Sequence, residues 1–288
     1  MACMDNNRQN SHIHRPCAAT LPANARLPLN HCNLPAVILG SVTYQKHPVP
    51  LELDGVRHFH ADLFRTLAPI AQHRARAQAF QDYMSAHFLL DHLDEAGLVP
   101  GKTKKKRINA NYLRMARGWS FDSDGREGAI LKHWVESRFG LLARHHAGPL
   151  QGRHSEVYQH YVAEGTRGLY ATNALEAQLD LLYTYCQYEL LLAHPEETHL
   201  TLYRGINRID EHEILEQLGP KRYRVLFNNL NSFTSSRERA DEFGDYILIA
   251  EVPLPKIFFF NRLLPGMLKG EDEFVVIGGV FEVGISTV

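Results

Sequence analysis

The chain has 288 residues, 44% hydrophobic and 22% charged, which is the composition of an ordinary globular protein. A formal net charge of -1 argues against a nucleic-acid or other polyanion binder, and no run of about 18 apolar residues is available to cross a membrane. The four cysteines, Cys3, Cys17, Cys32 and Cys186, form no CxxC pair, so neither a zinc pattern nor a disulfide framework is expected, and a reduced, cytoplasmic setting fits.

Residues 1 to about 30 carry Asn, His, Pro and Ala without periodicity and read as a flexible N-terminal arm. This arm lacks the apolar stretch of a secretory signal. LPAVILGSVTYQKHPVPLELDG (34–55) is apolar and punctuated by Pro, so it is expected to be extended and partly buried. From about 60 to 95 the spacing of Phe80, Met84, His87, Phe88 and Asp91 predicts a helix, stopped by Gly97 and Pro100. KTKKKR (102–107) reads as a solvated basic run or as a docking patch for an acidic partner.

GREGAILKHWVESRFGLL (125–142) predicts another helix. The strongest helical pattern is TNALEAQLDLLYTYCQYELLLAHP (172–195), with Leu175, Leu179, Leu182, Cys186 and Leu190 on one face. Thr172 or Asn173 is expected to cap it, with Glu176 completing a capping box, and Pro195 to end it. Cys186 on the apolar face reads as a small core hydrophobe.

After residue 197 the pattern changes to short runs rich in Ile, Val, Phe and Tyr, bounded by Gly, Pro and Asn: HLTLYRGI, FNNLNSFTS, YILIAEVPL, KIFFF, EFVVIGG and VFEVGIST. DEHEILEQL (210–218) is expected to be helical, and SSRERADEFG to form a short helix capped by Ser235 or Ser236. The organisation is therefore α+β: a mostly helical portion over 31–196 and a mainly antiparallel β core over 197–288, expected to form one compact domain. No GxGxxG and no phosphate-binding Gly-rich loop occurs, so a nucleotide would not bind in a Rossmann or P-loop manner. No metal-ligand spacing such as HExxH appears, and HFHAD (58–62) and His145-His146 read as surface or core histidines.

Three features of the β-rich third carry candidate chemistry. In Leu202-Tyr203-Arg204-Gly205, alternation puts Leu202 and Arg204 on one strand face, and an inward arginine needs an anion. Gly205 permits close approach of a backbone or ligand. In Asn231-Ser232-Phe233-Thr234-Ser235-Ser236, a hydroxyl cluster ends a strand and begins a helix. In Gly270-Glu271-Asp272-Glu273, acids run into a hydrophobic strand, where Glu271 and Glu273 share a face. Taken singly, these read equally as an edge-strand ion pair, a helix cap and a solvated acidic turn.

Taken in order, Arg204, Ser235 and Glu271-x-Glu273 resemble the R-S-E class of mono-ADP-ribosyltransferases. HCNLPAVILGSVTYQ, KHWVESRFG, NALEAQLDLLYTYCQYEL and LNSFTSSRERADEFGDYI extend the resemblance over nearly the whole chain, to the dinitrogenase reductase ADP-ribosyltransferase family. That resemblance implies an ADP-ribosyltransferase-like fold with a β core of two packed sheets. It implies NAD as co-substrate, no metal, an arginine of the nitrogenase iron protein (dinitrogenase reductase) as acceptor, and a PII-type nitrogen signalling protein as regulator.

For the site it implies Glu273 at the reacting ribose and Ser235 holding Glu273. Arg204 would meet the NAD phosphates, the Gly205 backbone would read the nicotinamide amide, and Glu271 would face the incoming guanidinium. Arg237 stands where the class carries a third hydroxyl. The competing expectations are an NAD glycohydrolase and an inactive binding module of the same fold.

Overall fold

The computed structural model describes residues 19–90, 111–150, 152, 154–169, 173–268 and 272–287. The expected helix stops at Gly97 and Pro100, the KTKKKR run, the Thr172 and Asn173 side chains of the expected cap, Glu271, and residues 1–18 of the expected arm lie outside what is described. Residues 19–30 do not hang loose. Leu21 and Ala25 are buried in the core, and Arg26 bridges to Leu141.

The helical portion comprises α1 (Ala36–Leu39), α2 (Val42–Lys46), α3 (Val56–Phe59), α4 (Ala61–Leu67), α5 (His73–Phe88), α6 (Tyr112–Phe121), α7 (Arg126–Phe139), α8 (Glu156–Leu169) and α9 (Asn173–Ala193). The segment expected to be extended holds α1 and α2 instead. Pro35 precedes the first turn of α1, and the Ser41 hydroxyl accepts from the Tyr44 amide to cap α2. The single helix expected from 60 to 95 is broken at Pro69, which cannot continue α4. Its second part, α5, ends at Leu89 in a left-handed conformation (φ 51), before Asp91.

In α9 the expected apolar face is the buried one: Leu175, Leu179, Leu182, Cys186 and Leu190 are all in the core. The polar side of α9 is held too. Arg138 of α7 donates from Nε and Nη2 to the two oxygens of Asp180, at 2.7 and 2.9 Å, and the Trp134 indole donates to Asp180 at 2.7 Å.

The strands are β1 (His199–Ile206), β2 (Glu213–Gly219), β3 (Arg222–Thr234), β4 (Tyr246–Pro253), β5 (Ile257–Phe260) and β6 (Glu273–Thr287), with α10 (Arg237–Asp241) between β3 and β4. The α+β class holds. The strands form one hydrogen-bonded antiparallel network, β2-β3-β1-β4-β6-β5 with β3 also pairing β6. Continuity comes from the length of β3 and β6, each of which serves more than one partner along its course.

EFVVIGG and VFEVGIST merge into the single strand β6, irregular at Gly279 (φ +120), where a Cβ would meet the Gly40 backbone at 2.9 Å. DEHEILEQL is a strand where a helix was expected. Residues 213–219 pair with β3 along the sheet edge, and that tertiary pairing overrides the local helix propensity of Glu, Leu and Gln.

Candidate active site

Arg204 lies on β1, opposite Leu248 of β4, with Leu202 fully buried two residues before it. Its Nη1 donates to the Ser232 carbonyl at 2.7 Å, while among the described residues its buried Nε has no partner. Burial lowers the Arg204 pKa, against the opposing pull of Glu211 and Asp124. His212 lies in the same electrostatic neighbourhood. Burial, then the Arg204 and His145 charges, push its pKa down to about 3, so it is neutral at pH 7. A guanidinium with unused donor capacity beside a neutral imidazole suits an oxyanion ligand.

Glu273 opens β6 and pairs with Thr234 of β3. Its two oxygens are held by two hydroxyls: Ser232 Oγ donates to Oε1 at 2.8 Å and Ser120 Oγ, from the end of α6, to Oε2 at 2.7 Å. Trp119 Nε1 donates to Ser232 Oγ at 2.9 Å. Among the described residues no cation pairs with Glu273, so its charge remains available to a positive partner.

Ser232 stands where Ser235 was expected. Strand geometry supplies the reason. β3 runs to Thr234, which sits directly opposite Glu273, and Ser232, two residues earlier, projects from the same face. Ser235 falls beyond the strand end with an exposed side chain, and its backbone N–H donates to the Asp272 carbonyl at 3.2 Å. Capping of α10 falls to Ser236, whose hydroxyl accepts from the Arg239 amide at 3.2 Å.

The comparison of Arg237 with a third hydroxyl shifts with this register. Arg237 donates to Ser286 Oγ at 2.8 Å, and the hydroxyl two residues after Ser232 is Thr234. Spacing within a hydroxyl-rich run does not reveal where its strand ends. Pairing with β6 does.

Arg204 and Glu273 therefore converge on one residue, the first on the Ser232 carbonyl and the second on its hydroxyl. Gly205 is required by packing: a Cβ there would fall 2.0 Å from the Ala240 carbonyl of α10. Ser120 and Trp119 were not singled out in the sequence; nothing in GWSF marks it as adjacent to a glutamate about 150 positions later.

A surface cavity of about 620 Å³ is lined by Asn207, Asp241, Glu242 and Asp245 among others. It contains none of Arg204, Ser232 or Glu273, and its acidic lining would repel phosphates. Among the described residues, no group of three or more His, Cys, Asp or Glu is arranged to hold a metal, no helix is long and apolar enough to cross a membrane, and Cys32 and Cys186 are free thiols.

A family model described as dinitrogenase reductase ADP-ribosyltransferase matches residues 29–285. The curated NAD(+)--dinitrogen-reductase ADP-D-ribosyltransferase of Rhodospirillum rubrum is 40% identical over 260 residues, covering 89% of this chain and 94% of that protein. No solved structure matches the chain.

Proposed function

The chain belongs to the dinitrogenase reductase ADP-ribosyltransferase family, and from that premise we propose that it transfers ADP-ribose from NAD to an arginine of dinitrogenase reductase, switching nitrogen fixation off. The observation that carries the reading is the convergence of Arg204 and a hydroxyl-clamped Glu273 on Ser232.

The chemistry follows from charge. Cleaving the bond between the nicotinamide nitrogen and the ribose C1′ releases neutral nicotinamide and builds positive charge on the ribose. A carboxylate beside that carbon stabilises the charge, as in glycoside cleavage. Glu273 takes this role because it is held in place without being neutralised. Ser232 fixes its rotamer, and Arg204 offers its free donors to the diphosphate.

Glu271 lies two residues before Glu273, and the proposal gives it the incoming guanidinium. A carboxylate there pairs with the arginine and takes its proton as the new C1′–N bond forms. No step requires a metal. Regulation by a PII-type nitrogen signalling protein belongs to the same proposal and is supported by the family resemblance.

The test is transfer of label from NAD, marked on its adenylate side, to dinitrogenase reductase. Glu273→Gln is expected to lower both NAD cleavage and transfer by about 10²- to 10⁴-fold. Glu271→Gln is expected to spare NAD hydrolysis and remove transfer to arginine. Full transfer by both variants overturns the site assignment. Label released by the wild-type protein but never transferred makes it an NAD glycohydrolase.

A further inference from the structure

The contacts around Glu273 reach beyond the sheet. Helix α6 belongs to the helical portion, yet its last turn delivers two consecutive side chains to this carboxylate. Ser120 Oγ lies 2.7 Å from Oε2. Its other acceptor, the Ala116 carbonyl, is at 3.4 Å, so its single proton is better placed on the carboxylate. Trp119, buried, acts one step removed. Its N–H can only donate, and it donates to Ser232 Oγ. With that lone pair engaged, Ser232 is left to point its own proton at Glu273 Oε1.

The helix that carries this pair is fixed on two sides. Arg114 donates to Glu127 of α7 at 2.8 Å, and Arg117 donates to the Met267 carbonyl at 2.7 Å, in the segment leading toward Glu271. Behind Trp119, the Lys132 ammonium stands 5.8 Å from its ring centroid and is paired with Asp124 at 2.8 Å. Both ends of α6 are capped by other contacts: the Asn111 side chain accepts from the Arg114 amide at one end, and the Asp122 amide donates to the Gly118 carbonyl at the other.

We propose that Trp119 and Ser120 are positioning residues for Glu273, so that helix α6, and not the sheet alone, orients the reacting carboxylate. Ser120 holds one oxygen directly. Trp119 holds the other through the Ser232 hydroxyl. This rests on the reading that Glu273 stabilises the ribosyl cation, and it adds that any partner binding that shifts the end of α6 changes turnover at a residue it never touches.

Steady-state NAD cleavage by the full chain separates the two levels of the argument. Ser120→Ala is expected to lower kcat by about 10- to 100-fold, the value of a hydrogen bond to a charged group, with KM for NAD nearly unchanged. Its pH–rate profile should move its acid limb to higher pH, because a carboxylate that loses a donor is easier to protonate. Ser120→Thr, which keeps the hydroxyl, should restore both.

Trp119→Phe keeps a ring and removes the N–H. Combined with Ser232→Ala it should cost less than the sum of the two single changes, since both break one chain of contacts. The proposal is overturned if Ser120→Ala and Trp119→Phe keep the wild-type kcat and acid limb. It is equally overturned if Ser120→Thr loses as much activity as Ser120→Ala, which would indicate packing and not the hydroxyl. A wild-type protein that cleaves no NAD strikes the parent reading of Glu273 itself, and the positioning role falls with it.

Discussion

Arg76 in the helical portion and Arg204 in the sheet are both drawn away from solvent, and the protein treats them in opposite ways. Arg76 is saturated. Its Nε and Nη2 donate to the two oxygens of Glu189 at 2.8 and 2.7 Å, and its Nη1 donates to the Ile70 and Ala71 carbonyls. The hydrogen bonds to Glu189, above all, raise its pKa. Among the described residues Arg204 has one carbonyl partner and an unpartnered Nε, and burial lowers its pKa.

The same division separates the carboxylates. Glu189 and Asp180 are matched by arginines from other helices, whereas among the described residues Glu273 is held by hydroxyls and no cation. Saturated charges join elements, and charges with spare capacity wait for a ligand. Burial alone does not distinguish them, since a buried ion pair costs desolvation whether or not it serves chemistry. The count of remaining partners, together with access to a ligand, does.

The Arg76–Glu189 pair carries the largest expected effect. Arg76→Ala leaves Glu189 buried without its main cation and is expected to cost about 3–5 kcal/mol of stability, read from urea denaturation. NAD cleavage per folded molecule should be unchanged. Replacing both partners, Arg76→Met with Glu189→Leu, should cost less than the single change. If Arg76→Ala instead lowers kcat at full stability, the division between the two arginines fails.

Lys256 is a third case, an unsaturated charge with no access to a ligand. Its ammonium is fully buried, donates to the Gly278 carbonyl at 2.5 Å and stands 4.7 Å from the Phe281 ring centroid. Burial lowers its pKa from 10.5 to about 7. The folded state therefore holds fewer protons than the unfolded chain between about pH 7 and 10.5, and this group's contribution to stability rises with pH across that window. Subtracting the Lys256→Met stability from wild type at each pH should give a slope of at most about 1.4 kcal/mol per pH unit there, flat below it. A flat difference throughout would mean that the ammonium finds a partner after all.

The smallest effect addresses the hydroxyl run. Ser232→Ala should lower kcat for NAD cleavage by about 10-fold or more, and Ser235→Ala should do far less. Equal losses would place the functional hydroxyl back at the strand end.

Much of the fold is legible in the sequence where one physical signal dominates. The α9 face is such a case, as Leu175 to Leu190 repeat at helical spacing and every one is buried. The strand runs after residue 197 are another. Legibility fails where a short segment has two options of similar energy. Residues 213–219 are locally helix-like and become a strand by pairing with β3, while residues 36–46 look extended and form two short helices around the Ser41 cap. The site divides in the same way. Arg204 and Glu273 were evident as charges in hydrophobic strands, but Ser232 was indistinguishable from Ser235 until the register against β6 was fixed, and Trp119 and Ser120 carried no local signal.

The α+β class, the apolar faces and the placement of Arg204 and Glu273 within hydrophobic strand runs were readable from residue order alone. These follow from periodicity and composition, which act over a few residues. Which hydroxyl meets Glu273, that α6 supplies a second one, and that β3 and β6 join all strands into one network emerge from the folded arrangement. These depend on registers and contacts between segments as much as about 150 positions apart, and a one-residue slip in any of them reverses which side chains face one another.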